Sequence, residues 1–62
     1  MLLAPNTSYR IIYEDYSSVT FRIEGDLPHA IHKILVRDLY TGKQRFLFDL
    51  LLANWIDFAK VS

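Results

Sequence analysis

His29 and His32 lie three residues apart, and Asp26 precedes His29 by the same spacing. On a helix this would bring two imidazoles and a carboxylate to one face, a set able to ligate a divalent metal. Two histidines are a sparse donor set. Connector roles for both, or a pairing of His32 with an acid such as Asp49, account for them without a metal. The serines, histidines and aspartates fall in no nucleophile-elbow pattern. Gly25 and Gly42 are the only glycines, so no glycine-rich loop can cradle a phosphate. A chain of 62 residues also leaves little room for a cleft that excludes water. The expectation is therefore a non-enzymatic protein with no metal, no cofactor and no small-molecule substrate.

Residues suited to binding are more numerous. Tyr40, Phe46 and Phe48 are interleaved with Lys33, Arg37, Lys43 and Arg45. Small β-rich domains hold single-stranded nucleic acid with this mixture of aromatic platforms and cations. Trp55 suits either a core anchor or an interface contact, since tryptophan is enriched in both roles. Tyr16 and Tyr40 fall in expected turns, where burial is disfavoured and a partner contact gains weight. Tyr16, Arg37, Tyr40, Lys43, Arg45 and Trp55 are thus the candidate partner-binding residues.

Composition limits the partners. Formal net charge is zero, against seven Lys plus Arg and seven Asp plus Glu. Nonspecific nucleic-acid binding needs a positive field, so nucleic acid ranks behind protein. Charge is unevenly distributed: Glu14, Asp15, Glu24 and Asp26 precede Lys33, Arg37, Lys43 and Arg45. Neighbouring antiparallel strands would neutralise such halves; alternatively, a bipolar surface would offer head-to-tail contact. The chain lacks cysteine, which removes disulfides and thiolate metal sites and fits a reducing, cytoplasmic setting. "MLLAP" has no basic n-region and is too short for a signal peptide. No apolar run approaches the length of a membrane span. Hydrophobic residues make up 52% of the chain, enough for a single folded domain over 1–62. A domain this small buries little of its surface, which favours self-association as well.

These residues must be positioned by short elements. "SYRIIYED" and "SVTFRIEG" alternate apolar and polar residues and read as a hairpin. Pairing Tyr13 with Phe21 puts Ile11 opposite Ile23 and Arg10 opposite Glu24, around a Tyr16-Ser17-Ser18 loop. A non-glycine residue then needs a left-handed conformation there.

The stretch from Asp26 to Gly42 supports two readings. As a helix, Asp26 caps it, Pro28 sits in the first turn and Gly42 ends it. As a hairpin, Asp38 accepts backbone N–H groups across the turn and Gly42 supplies the positive φ. A Leu39–Gly42 loop then puts Asp38 opposite Lys43, Leu35 opposite Phe46 and Ile34 opposite Leu47. "VRDLYTGKQRFLF" also resembles the strand–turn–strand "D-x-x-T-G-K" of WD-repeat propeller blades. That resemblance implies a local hairpin only, since a propeller needs repeats. The hairpin is preferred, with Leu27 to Ile31 as a connector or single helical turn.

The C-terminus also has two readings. As a helix, Asp49 caps it and Leu51, Trp55 and Phe58 share a face; leucine and alanine favour this form. As a strand, "WIDFAKV" follows an "LLAN" turn and resembles the end of SH3-like barrels, where a short 3₁₀ turn leads into the last strand. The preferred fold is two antiparallel hairpins, about 8–24 and 33–48, forming a four-stranded sheet with a C-terminal helix at about 50–60. The alternative is a five-stranded SH3-like small barrel.

The expected function is a small protein-binding module such as an adaptor, inhibitor or accessory subunit, acting through an aromatic patch or an open sheet edge and forming a homodimer in one version. The alternative is a nucleic-acid-binding domain using the basic second hairpin. No membrane partner is expected.

Overall fold

Two turns set the order of the strands. The first follows β1 (Ser8–Tyr13) and leads into β2 (Ser18–Ile23). The Asp15 carboxylate accepts the Ser17 N–H at 3.0 Å and the Ser17 hydroxyl at 2.6 Å. The Tyr13 N–H donates to the Ser17 carbonyl, and Tyr16 takes φ 66°. A left-handed residue is needed, as the sequence predicts, and a tyrosine fills the position. The second turn joins β3 (Leu35–Asp38) to β4 (Gln44–Phe46). Asp38 Oδ1 accepts the Tyr40 and Thr41 N–H groups at 2.8 and 3.1 Å, and Gly42 has φ 75°. The hairpin reading of Asp26 to Gly42 therefore holds. Leu35 faces Phe46, and the Asp38–Lys43 and Ile34–Leu47 pairings are also met. The connector contains a single 3₁₀ turn, Ile31–Lys33.

In the computed structural model, which describes residues 2–61, these strands and one more form a five-stranded antiparallel sheet of order β4-β3-β2-β1-β5. The fifth strand, β5 (Trp55–Lys60), corrects the expected C-terminal helix at 50–60 and the four-strand count. Among the described residues, α-helix is confined to α1 (Leu47–Leu51). Leucine favours helix there, but Trp55, Ile56 and Phe58 are strand formers, and β1 offers them a free edge. β4 and β5 end up as the two edges of the open sheet.

The first hairpin also differs in register. Tyr9, not Tyr13, lies opposite Phe21, and Ile11 lies opposite Val19. The Asp15–Ser17 turn begins earlier than the expected loop and slides β1 by an even number of residues. An even slip leaves every side chain on its original face. Arg10 now meets Thr20, whose hydroxyl oxygen accepts from its Nε at 3.2 Å. Glu24 instead pairs with Arg37 at 2.9 Å, so charge does neutralise between the acidic and basic halves at this point.

One face of the sheet forms the core. Tyr9 and Ile11 of β1, Phe21 and Ile23 of β2 and Val36 of β3 are buried with Ile34, Leu47 and Leu50. Each such side chain contributes on the order of 1.5–3 kcal/mol by leaving water. α1 closes this inner face, and Tyr13 helps to hold it there: its hydroxyl donates to the Leu50 carbonyl at 2.6 Å. Burial pushes the Tyr13 phenol up from its ordinary pKa, while Arg45 nearby works in the opposite direction. Among the described residues, no helix is long and apolar enough to cross a membrane.

Candidate functional site

β5 carries a bulge. Ile12 faces Asp57 and Tyr13 faces Trp55, so Ile56 has no residue opposite it. An extra residue shifts the alternation by one. Trp55 and Phe58, three apart, consequently share the inner face, with ring centroids 6.0 Å apart in an edge-to-face arrangement. Phe58 also packs edge-on against Tyr9 and Phe21, at 5.7 and 6.0 Å. Phe58 thus ties Trp55 to the core.

Trp55 itself is 45% exposed. It forms one wall of an apolar groove of about 280 Å³, with Leu3, Ile31, Leu47, Leu51 and Phe58 around it. The sequence places Leu51, Trp55 and Phe58 together on a helix face. They do come together, but through a bulged strand and a separate helix.

β5 is an edge, and its backbone polarity can be read from one bond. The Val61 N–H donates to the Ser8 carbonyl. In an antiparallel ladder alternate residues turn their N–H and C=O groups to the same neighbour. Ala59 and Asp57 therefore point theirs at β1, and Phe58 and Lys60 point theirs outward. The inward-facing aromatic at Phe58 and an outward-facing donor and acceptor pair occur on one residue. Among the described residues, no strand pairs with the outer side of β5; Lys60 stands at its far end, across from Tyr9.

The remaining candidates lie elsewhere. The meander carries the β1–β2 and β3–β4 turns to the same end of the sheet. Tyr16, 83% exposed, and Tyr40, 96% exposed, project from that end, and Lys43 follows Tyr40 there. Trp55 begins β5 beside Tyr13, also toward this end. Arg45 turns to the inner face opposite Val36 and reaches Asp38 at 3.5 Å. Arg37 lies on the outer face, held by Glu24 and by the Gly42 carbonyl at 2.7 Å. Arg37 and Arg45 thus occupy opposite sides of the sheet and cannot serve one flat basic surface. His29 and His32 are exposed on the connector and the 3₁₀ turn.

Asp38 carries charge into a nearly buried position, 7% exposed. The Thr41 N–H holds its carboxyl below the usual carboxylate range, helped by the Tyr40 N–H and Arg45 and opposed by burial. Its partners are all within its own hairpin, which gives it a structural role. The sequence does not reveal Leu3, Ile31 or Leu47 as groove residues. They come from three separate segments, and only the packed fold joins them.

Comparison with family models, with curated proteins and with solved structures finds no match to this chain.

Proposed function

We propose that the protein is a non-enzymatic protein-binding module that takes an extended apolar segment of a partner along β5 as a sixth strand. The carrying observation is the coincidence, on one strand, of an open edge and an apolar groove. Strand addition draws affinity from main-chain hydrogen bonds and specificity from pockets that take alternate side chains. The outward Phe58 backbone supplies the first, and the groove beside Trp55 the second. An adaptor, inhibitor or accessory subunit would use such a seat. A second copy of the chain seated there would give the homodimer version. The strand order and the helical turn before β5 also favour an SH3-like arrangement as the finer description of the fold, one left open between β4 and β5.

Selection from a library of extended peptides tests this reading. Enriched sequences should alternate apolar residues, shift Trp55 emission to the blue and slow amide exchange at Phe58 and Lys60. Peptides that bind without changing either signal would refute it. A concentration-dependent doubling of mass that Trp55→Ala abolishes would assign the seat to a second copy.

A further inference from the structure

We propose that the outer face of the sheet binds a single strand of nucleic acid, with phosphates on Arg10, Arg22 and Arg37 and a base against Phe46. This surface is on the reverse of the sheet from the Trp55 groove and does not depend on that site.

The register places the three arginines together. Buried Phe21, Ile23 and Val36 define the inner face, so alternation sends Arg22 and Arg37 outward. Arg22 lies directly opposite Arg37. The Leu39 N–H donates to the Thr20 carbonyl, which makes Arg22 and Arg37 a hydrogen-bonded pair with Cα atoms about 5.5 Å apart. Arg10, opposite Thr20, is the diagonal neighbour of Arg22 on the next strand. Three guanidinium groups thus form a row across β1, β2 and β3.

Like charges directly opposite one another destabilise a sheet. Among the described residues, the ion pairs are Arg37–Glu24 and Arg45–Asp38, and neither involves Arg22. Among the described residues, the acids on this face include Glu24, already engaged with Arg37, and Asp57, at the β5 margin opposite Ile12. Among the described residues, the central cation of the row has no ion-pair partner, although the chain as a whole is neutral. An anionic ligand lying across the strands would supply it.

The neighbouring residues select the kind of anion. Leu35 and Phe46 face each other on the outer side, next to the Arg37–Gln44 pair, and Phe46 is 46% exposed. A half-exposed ring beside a row of guanidinium groups offers a base its π-face and its phosphates their charge. An acidic peptide would use the arginines and leave the ring idle. The sequence-level alternative named the whole second hairpin; the register instead excludes Arg45 and recruits Arg10 and Arg22 from the first.

Fluorescence anisotropy of a labelled oligothymidylate, titrated with the full chain, tests the assignment. Binding should be seen at about 50 mM salt and weaken with a log–log slope of about −2, the value for three phosphates on a single strand. Arg22→Gln should weaken binding and reduce that slope by about 0.7. Phe46→Ala should weaken binding roughly 5- to 150-fold and leave the slope unchanged. Circular dichroism of each variant establishes that the sheet is intact. Absence of binding to wild type, or full binding by a folded Arg22→Gln variant, overturns the proposal. So does polyglutamate binding of equal strength together with a neutral Phe46→Ala, which would make the face a site for acidic peptides.

Discussion

Replacing Trp55 by alanine separates packing from recognition. Complete burial would make the truncation cost about 3–5 kcal/mol. Trp55 is 45% exposed, so slightly more than half of that burial is at stake. Its lost neighbours include Phe58 at 6.0 Å. The space left behind opens into the groove, so water fills it and no sealed cavity adds its penalty. The expected cost is about 1.5–2.5 kcal/mol, equivalent to a fall of roughly 6–20 °C in Tm for a domain of this size. Urea denaturation followed by far-UV circular dichroism measures it, since the variant loses its only tryptophan. Trp55→Phe should recover part of the loss by keeping an aromatic contact with Phe58. A domain with on the order of 3–5 kcal/mol of stability remains mostly folded after such a change, so loss of peptide binding can be assigned to the groove. A measured cost above about 3 kcal/mol would put Trp55 in the core and remove it as a contact residue. A cost below about 0.5 kcal/mol, typical of an unpacked surface site, would show that Phe58 does not hold it.

Two further substitutions test the turns. Asp38→Ala should cost about 1–3 kcal/mol at neutral pH by stranding the Tyr40 and Thr41 N–H groups. The folded carboxyl is held below its ordinary value of 3.8, so its contribution is complete above that pH and is lost as pH falls through the lower folded value. The gap between wild type and Asp38→Ala should therefore narrow in acid; a gap that stays constant down to the acid transition would contradict the assigned hydrogen bonds. Tyr16→Gly should raise stability by about 1 kcal/mol by relieving the left-handed φ of 66°. Thermal denaturation reads it, and an unchanged or lowered Tm would show that the Tyr16 ring packs usefully in the folded state.

The sequence is legible where the deciding contacts are local. The second hairpin is readable as to turn and register because Asp38 and Gly42 build its turn from within, but not as to its end, since Leu47 and Phe48, expected in its second strand, open α1. The first hairpin is readable as to faces, since alternation survives an even slip, but not as to register. Its turn depends on Asp15 bonding Ser17 and on a tyrosine in a conformation that glycine usually takes. The last strand is misread for a specific physical reason. A bulge at Ile56 leaves Trp55 and Phe58 on one face at a spacing of three, which mimics helical periodicity. What fixes it as a strand is the edge of β1, more than forty positions away in the chain. The candidate residues follow the same rule. Tyr16 and Tyr40 are exposed as turn chemistry implies, whereas the partition of Arg37 and Arg45 between opposite sides follows from parity along the strands, and Arg22 gains its interest only from what lies across from it.

The pairing of β1 with β5 has a consequence for how the chain reaches its fold. β1–β2 and β3–β4 join by short local turns and β2–β3 through the connector 24–34, so four strands can zip in sequence. But β5 must find β1 across the whole intervening chain, closing the longest loop among the strand pairings. Contacts of that separation slow folding because loop closure precedes any gain from pairing. During synthesis β1 is made first and its final neighbour last. Until β5 is made, β1 is itself an open edge, with Tyr9 lacking Phe58 beside it. The nascent chain thus passes through a stage in which a different strand is available for strand addition, and a chaperone or a second nascent copy would meet β1 rather than β5.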